Sequence, residues 1–236
     1  MRGLRRAGPW GQGFPFAVPA VADVSALRLD APVTLLAGDN GSGKSTLIEA
    51  IAEAIGFDAQ GGELERLGEL PAVPRAVLGG ALEPELTDTK PRIGYFLRAE
   101  SFFNVAAFVD SQGTFSPDLS LYGDVPLHEQ SHGESFLALA ANRFGADSLY
   151  VLDEPEAALS LTSALAFLAV MDRAAKAGSQ FIVATHSPVL LALPGARVYE
   201  LSDTGVDEVE WDLTETVSLM KAFLNAPERF VRQALG

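Results

Sequence analysis

Residues 38–45 read Gly38-Asp39-Asn40-Gly41-Ser42-Gly43-Lys44-Ser45 and fit the pattern G-x-x-x-x-G-K-[ST]. A short apolar run, 33–37 (VTLLA), comes before them, and a segment with apolar residues at helical spacing, 45–55 (STLIEAIAEAI), comes after. The predicted order is therefore a buried strand, a Gly-rich loop and a helix. In such a loop the backbone N–H groups can surround phosphate oxygens, and the helix directs its positive end at the same phosphates.

This loop predicts a site for the phosphates of a nucleotide. We expect Lys44 to reach the β and γ phosphates and the Ser45 hydroxyl to ligate Mg²⁺. A Gly-rich turn at a helix start is the alternative, and the flanking strand and helix disfavour it. The residues expected to bind the nucleotide here are Gly38, Asn40, Gly41, Ser42, Gly43, Lys44, Ser45 and Thr46.

Two carboxylates end a second apolar run, Leu149-Tyr150-Val151-Leu152-Asp153-Glu154. Ligands of open α/β sheets bind at the carboxyl ends of the strands. Asp153 therefore suits a partner of Mg²⁺, and Glu154 suits the base that orients and deprotonates an attacking water. The alternative is that both acids cap the next helix, for which Pro155 is a good first residue.

A histidine follows a third apolar run. His186 lies in Thr185-His186-Ser187, directly after 181–184 (FIVA). A lone His is more often a surface or capping residue. Beside the two-carboxylate strand it could hydrogen-bond a γ phosphate, so we place it with Lys44 and Glu154 among the candidate catalytic residues.

The order of these motifs resembles the nucleotide-binding domain of ABC-type ATPases. Ser131-His132-Gly133-Glu134-Ser135 is similar to the L-S-G-G-Q signature of that family, with Ser131 and Gly133 matching it. The resemblance implies that Ser131 and Gly133 contact the γ phosphate of ATP held by the opposite subunit of an ATP-dependent homodimer, with Mg²⁺ as cofactor. An N-capped helix start is the alternative interpretation of residues 131–135.

The implied fold is an α/β P-loop NTPase of the ABC type. It has a mainly parallel central sheet flanked by helices, and a short helical and loop-rich lobe that carries the signature motif. We expect one domain over residues 1–236, with a core at about 14–56 and 135–205, the lobe at about 57–134 and a helical tail at about 212–236. Further strands are predicted at 149–152, 181–184 and 197–201, and helices at 135–144 and 159–176.

Three departures from the family pattern point away from transporter subunits. The Q-loop Gln is missing, and either Arg98 or Glu100 replaces it; we favour Glu100 near the metal, because a carboxylate can replace an amide oxygen as a ligand. Ser160 stands where transporters carry Asp, and D-E-P-E-x-x-L looks like soluble relatives of the SMC, RecF and OLD types. The stretch of about 100–130 is also short. These features resemble small bacterial ATPases of AAA type.

An aromatic ring upstream of the P-loop usually stacks on adenine in this family. Phe14 is the candidate here, followed by Trp10 and Phe16. The alternative is that Phe14 and Phe16 anchor an edge strand.

Composition limits the possible partners. The formal charge is -14, which argues against general nucleic-acid binding. The sequence has no Cys, which excludes disulfides and cysteine-based zinc sites and fits the cytoplasm. The longest apolar stretch, near 161–171, is too short for direct membrane insertion. We expect an ATP-driven dimerisation switch, with an unidentified protein partner possible. The alternatives are the ATP-binding subunit of a transporter and the ATPase of a DNA-repair or genome-defence complex.

Overall fold

A mainly parallel sheet forms the centre of the computed structural model, which describes residues 1–59, 61–64, 77–86, 91, 93–98, 132–157 and 159–236. The strands of these ranges are β1 (Gly3–Arg6), β2 (Val33–Gly38), β3 (Gly62–Leu64), β4 (Leu82–Glu85), β5 (Ile93–Arg98), β6 (Ser148–Asp153), β7 (Gln180–Ala184), β8 (Arg197–Ser202) and β9 (Gly205–Val209). The helices are α1 (Pro19–Ala22), α2 (Lys44–Ile55), α3 (Val77–Gly80), α4 (His132–Arg143), α5 (Leu161–Lys176), α6 (Pro188–Leu191), α7 (Glu215–Asn225) and α8 (Pro227–Leu235), with 3₁₀ turns at Val24–Ala26 and Trp211–Leu213.

The strand order within the described ranges is β3-β5-β6-β7-β2-β8-β9. The five strands from β5 to β8 in this order run parallel, and the two edge strands, β3 and β9, are antiparallel to their neighbours. Strand β2 lies between β7 and β8, with Leu35 opposite both Val183 and Val198. The predicted α/β class and mainly parallel sheet are confirmed. Because the strands are parallel, the loops that follow β2, β6 and β7 leave the same edge of the sheet.

Helices cover both faces of this sheet. Alternate residues of β2 point to opposite faces, so that Leu36 belongs to one core cluster and Leu35 to the other. The first cluster includes Leu47 and Ile51 of α2. The second holds an aromatic group at which Phe144 packs on Tyr150 with ring centroids 4.2 Å apart. Strand β2 is buried along its whole length, which fixes the point at which the P-loop leaves the sheet.

A second, two-stranded sheet joins distant parts of the chain. β1 pairs antiparallel with β4, with Arg6 opposite Leu82. Leu4 and Leu82 are buried in the cluster that contains α2. β4 lies in the stretch interpreted from the sequence as a loop-rich lobe, as do β3 and α3. Pro84 within β4 breaks the strand pattern, and it is tolerated because this short strand pairs on an edge.

The helical tail consists of two helices, α7 and α8. Pro227 is the first residue of α8, a position where its missing N–H costs nothing, and α7 ends just before it. Val217 of α7 is buried, whereas Leu224 and Leu235 are exposed. In the ranges described here, no helix combines the length and the apolar character needed to cross a bilayer.

Candidate nucleotide-binding site

The loop between β2 and α2 closes around Lys44. The Lys44 side chain is buried, and its Nζ donates to the carbonyl oxygens of Gly38 at 2.9 Å and Asp39 at 3.0 Å. Gly41 and Gly43 hold positive φ angles of 84° and 96°. The P-loop pattern predicts that this ammonium contacts ligand phosphate. Here it also bonds the loop's own backbone, so it contributes to the shape of the loop.

Space as well as backbone conformation requires glycine in part of the loop. A Cβ atom on Gly43 would lie 2.5 Å from Cγ1 of Val18, and one on Gly38 would lie 2.5 Å from the carbonyl oxygen of Leu201. A Cβ on Gly41 would meet nothing within 4 Å. The loop is therefore packed against α1 and β8 at its base and open at Gly41.

The Ser42 hydroxyl is suited to an incoming acceptor. Its Oγ is buried and has no hydrogen-bond partner among the described residues. A buried polar group without a partner costs about 1–3 kcal/mol. A phosphate oxygen would supply the missing acceptor, so this residue fits the predicted phosphate site.

The two metal-site residues that the structure describes lie together. Asp153 ends β6 and is buried, and its Oδ1 accepts a hydrogen bond from Ser45 Oγ at 3.3 Å. The pKa of Asp153 is raised to about 6, mainly by burial and also by the nearby Glu154 and Glu49 carboxylates, whereas Arg98 and the Ser45 hydroxyl oppose the rise. A buried carboxylate with this pKa would gain from a cation beside it. The Ser45–Asp153 pair therefore fits a Mg²⁺ site.

Glu154 and His186 lie close together, in the loops that follow the neighbouring strands β6 and β7. Glu154 has a left-handed backbone with φ of 51°, and its N–H donates to the Ala184 carbonyl oxygen at 2.9 Å. His186 Nδ1 lies 3.5 Å from Glu154 Oε1. Glu154 also lines a pocket of about 360 Å³ whose other walls include Gly41, Lys44 and Thr46. This places a carboxylate at the mouth of the P-loop.

The Q-loop position is described only in part. Arg98 ends β5 directly opposite Asp153 of β6. Its guanidinium donates to Glu49 Oε1 of α2 at 2.8 Å. Glu100 lies outside the described residues, and its predicted place near the metal stays a prediction.

The signature segment is likewise described only from its second residue. Ser131 lies outside the described residues, and Gly133 is buried in the first turn of α4. The same helix carries Phe136, which packs edge-on against Phe167 of α5 with ring centroids 5.1 Å apart. The start of α4 is thus anchored to the sheet through α5.

Of the three aromatic candidates, Phe14 is the one at the pocket. It is 81% exposed and lines the same pocket as Lys44. Phe16 is buried and packs against Trp10, with ring centroids 5.0 Å apart. Phe14 and Phe16 lie in a turn, not in an edge strand. Adenine stacking on Phe14 remains a prediction.

One residue of the candidate site was not predicted from the sequence. Glu156, two positions after Glu154, accepts hydrogen bonds from the loop that carries His186. The D-E-P-E pattern contains this residue. Its role, however, depends on two loops lying side by side, and the sequence pattern does not give that arrangement.

The chain is similar to several known proteins and protein families. A family described as "AAA domain" matches residues 18–70, and one described as "AAA domain, putative AbiEii toxin, Type IV TA system" matches residues 120–192. The "Cytochrome c biogenesis ATP-binding export protein CcmA" of Gluconobacter oxydans is 32% identical over 195 residues, which cover 81% of this chain and 85% of that protein. Its namesake in Cupriavidus necator is 31% identical over 180 residues, 70% of this chain and 73% of that protein.

More distant relatives are matched over a smaller part of their own length, or share only the fold with this chain. The "ABC transporter G family member 2" of Arabidopsis thaliana is 28% identical over 167 residues, and the matched region spans 64% of this chain but only 22% of that protein. A solved structure described as "An inward-facing conformation of a putative metal-chelate type ABC transporter" superposes with a TM-score of 0.51 at 18% identity, covering 95% of this chain and 89% of that one. This superposition shows a shared fold.

Proposed function

Because this chain belongs to the ABC-type P-loop ATPases, we propose that it binds Mg-ATP at residues 38–46 and hydrolyses it. The observation that carries this proposal is the pocket that Glu154 and Lys44 both line beside the P-loop, with His186 Nδ1 at 3.5 Å from Glu154 Oε1. A catalytic carboxylate beside a phosphate-binding loop is the arrangement that hydrolysis requires, because one group must take a proton from water while others hold the phosphates.

The phosphate-binding part of the proposal rests on Lys44, Ser42 and the loop amides. Their positive charge, free hydroxyl and N–H groups would hold the phosphates. Ser45 and Asp153 would hold Mg²⁺, which in proteins often takes one or two side-chain oxygens and completes its shell with substrate phosphates and water. The ion would supply charge neutralisation at the phosphates.

The catalytic part rests on Glu154 and His186. Glu154 would orient the attacking water and accept its proton, which leaves a hydroxide-like oxygen aimed at the γ phosphorus. His186 would hydrogen-bond the γ phosphate. Phe14, exposed beside the pocket, would stack on adenine.

The working unit in this proposal is a homodimer in the cytoplasm. Two copies would face each other head to tail, and each P-loop would be completed by Ser131 and Gly133 of the other copy. Gly133 lies in the first turn of α4, where backbone N–H groups favour anions. Binding of ATP would close the pair and hydrolysis would open it.

A second candidate function is favoured by the sequence relatives. Two of them are named as ATP-binding export proteins, so this chain could be the ATP-binding subunit of a membrane transporter. Co-purification of an integral membrane protein with the natively expressed chain would support this candidate over a stand-alone dimer.

The main proposal is tested by Glu154→Gln. We expect the variant to lose steady-state phosphate release by about 100-fold or more, because the amide cannot accept the proton of water. Its affinity for Mg-ATP should stay within about three-fold of the unaltered chain, because Glu154 is not assigned to phosphate binding. Phosphate release and calorimetric ATP titration measure the two quantities.

Two further variants show whether the effect is specific to the Glu154 position. Glu85→Gln, an exposed carboxylate change on β4, should leave both quantities unaltered. Lys44→Ala should abolish most ATP binding, and it should also lower the free energy of unfolding by about 1–2 kcal/mol, because the Gly38 and Asp39 carbonyls lose their donor. Normal turnover in Glu154→Gln would contradict the catalytic assignment. Tight ATP binding without turnover in the unaltered chain would leave a binding module.

A further inference from the structure

Glu156 joins the two loops that carry the proposed catalytic pair. We propose that Glu156 is a positioning residue, which fixes the loop 185–187 and thereby holds the His186 imidazole against the Glu154 carboxylate. The proposal rests on the ATPase function proposed above, and it assigns to Glu156 no contact with the nucleotide.

One oxygen of Glu156 accepts three hydrogen bonds. Its Oε1 lies 2.5 Å from Thr185 Oγ1, 2.8 Å from the backbone N of His186 and 3.1 Å from the backbone N of Ser187. The Ser187 N–H is shared with Thr185 Oγ1 at 3.0 Å. Every residue of the loop therefore bonds to the same carboxylate, directly after the end of β7.

These bonds are stronger than ordinary loop contacts. The acceptor is a carboxylate, and hydrogen bonds to an ionised group are shorter and about twice as strong as neutral ones. Thr185 is fully buried, so its hydroxyl has no access to solvent. Without Glu156, the Thr185 hydroxyl and the His186 N–H would lose their acceptor, and the Ser187 N–H would keep only Thr185 Oγ1.

Glu154 lies in the same turn as Glu156, directly after β6, and backbone hydrogen bonds fix it there. The Glu154 N–H donates to the Ala184 carbonyl oxygen at 2.9 Å, and the Ala157 N–H donates to the Glu154 carbonyl oxygen at 3.1 Å. The turn and the loop are thus joined once through Ala184 and three times through Glu156. A left-handed backbone is strained for a non-glycine residue such as Glu154, and it persists where its surroundings fix it.

Fold stability alone does not account for a carboxylate at this position. Oε2 of Glu156 is buried with no hydrogen-bond partner among the described residues, which destabilises the folded state. Glu156 is also absent from the walls of the pocket that Glu154 and Lys44 line. All three hydrogen bonds of its side chain go to the loop that carries His186, so the proposal places its effect on chemistry at His186.

The test is the turnover of Glu156→Ala, alone and combined with His186→Ala. We expect Glu156→Ala to lower kcat about 10- to 100-fold, because displacing a catalytic group by about 1 Å can have an effect of that size. The ATP KM and Kd should change by less than about three-fold. In the His186→Ala background the same substitution should lower kcat by less than about two-fold, because no imidazole remains to be positioned.

Conservative changes separate positioning from a loss of fold. Glu156→Gln keeps an acceptor oxygen and should recover part of the lost kcat. If Glu156→Ala does not fold, Thr185→Val against Thr185→Ser applies the same test, since only Ser keeps the hydroxyl that bonds Glu156. Glu85→Ala on β4 is the matched control for removal of a carboxylate elsewhere.

Each outcome decides the proposal. Normal kcat in Glu156→Ala, beside an inactive Glu154→Gln, overturns the positioning role and leaves the ATPase proposal standing. An equal further loss in the His186→Ala background also overturns it, since the effect would then bypass His186. Absence of hydrolysis by the unaltered chain overturns both proposals.

Discussion

At the scale of single residues, the site is built around a carboxyl group whose ionisation is unfavourable. Asp153 is buried between Glu49, Glu154 and Arg98, and burial is the largest cause of its raised pKa. Such a group is neutralised either by a proton or by a cation. The raised pKa therefore links the stability of the nucleotide-free protein to pH, and links the affinity for Mg²⁺ to the same proton.

The pH dependence has a definite sign. The pKa of Asp153 is about 6 in the folded chain against an ordinary value of 3.8, so folding favours the protonated form. The contribution to stability is complete below the ordinary value and is lost as pH rises through about 6. Asp153→Asn stays neutral throughout. Without nucleotide, its free energy of unfolding relative to the unaltered chain should therefore rise by about 1 kcal/mol between pH 5 and pH 8.

Denaturant titrations at several pH values measure this difference. Asp172→Asn is the matched control, because Asp172 is partly exposed on α5 and pairs with Lys176. Its difference from the unaltered chain should stay flat over the same range. Saturating Mg-ATP should reverse the order at pH 8, since the amide variant loses a ligand for the ion. A pH-independent gap for Asp153→Asn would show that its carboxyl is not held in its acid form by burial.

At the scale of elements, the conformation of the P-loop depends on its close packing against α1. Gly43 and Gly41 have similar positive φ angles, but only Gly43 has a neighbour where a side chain would begin. The two positions therefore separate backbone conformation from packing. This pair offers a test inside one loop.

Alanine at the two positions should have unequal effects. Gly41→Ala should cost about 1–2 kcal/mol for the left-handed conformation alone. Gly43→Ala should cost about 1–3 kcal/mol more, because its Cβ would overlap Val18 and the loop or α1 must shift. Denaturant unfolding gives the stability, and ATP titration should show a larger loss of affinity for Gly43→Ala. Equal losses of stability in the two variants would mean that contact with Val18 does not constrain the loop.

The elements that carry the site could be predicted from the sequence because each has a local signal. Strand β2 and helix α2 flank a Gly-rich loop, and β6 is an apolar run that ends in Asp153. Helix α5 begins one residue after Ser160, whose Oγ accepts from the Ser163 N–H, an N-cap that Ser and Asp provide about equally well. Local pattern and long-range pairing agree at these positions.

The elements that were missed depend on pairing with another strand more than on their own residue pattern. β9 has the polar sequence GVDEV and becomes a strand because it pairs with β8. β4 contains Pro84 and is defined by its pairing with β1. The contacts of Glu156 were missed for the same reason, since its acceptor role exists only where the turn after β6 lies against the loop after β7. Periodicity and motifs do not report such pairings.

At the scale of the whole molecule, charge opposes the proposed dimer until nucleotide joins it. The chain carries a formal charge of -14, and a second pocket beside the P-loop is lined by Asp39, Glu200, Asp203, Asp207 and Glu215. Two such faces should repel each other. Phosphates gripped from both sides would offset that repulsion through hydrogen bonds to Ser131 and the Gly133 N–H.

Glu154→Gln should therefore form a closed dimer with Mg-ATP and stay monomeric without it. The substitution blocks hydrolysis and leaves the contacts to phosphate in place. Light scattering with and without Mg-ATP measures the mass. Adding Ser131→Arg should abolish the dimer by placing bulk at the contact, whereas adding Ala177→Arg, exposed just after α5 at the opposite edge of the sheet, should not. A monomer at saturating Mg-ATP would falsify the composite site and favour a different partner or a single-subunit ATPase.

The position of β2 in the sheet also decides when the nucleotide site can exist during synthesis. β2 pairs on one side with β7, where Val33 lies opposite Phe181, and on the other side with β8, where Thr34 lies opposite Arg197. Both neighbours of the strand that leads into the P-loop are thus among the last parts of the sheet to leave the ribosome. Until β7 and β8 are synthesised, both edges of β2 lack hydrogen-bonding partners, and such edges can pair with other chains. A nascent chain therefore carries the residues of the loop long before it can hold a nucleotide, and this interval is when the protein most needs protection from aggregation.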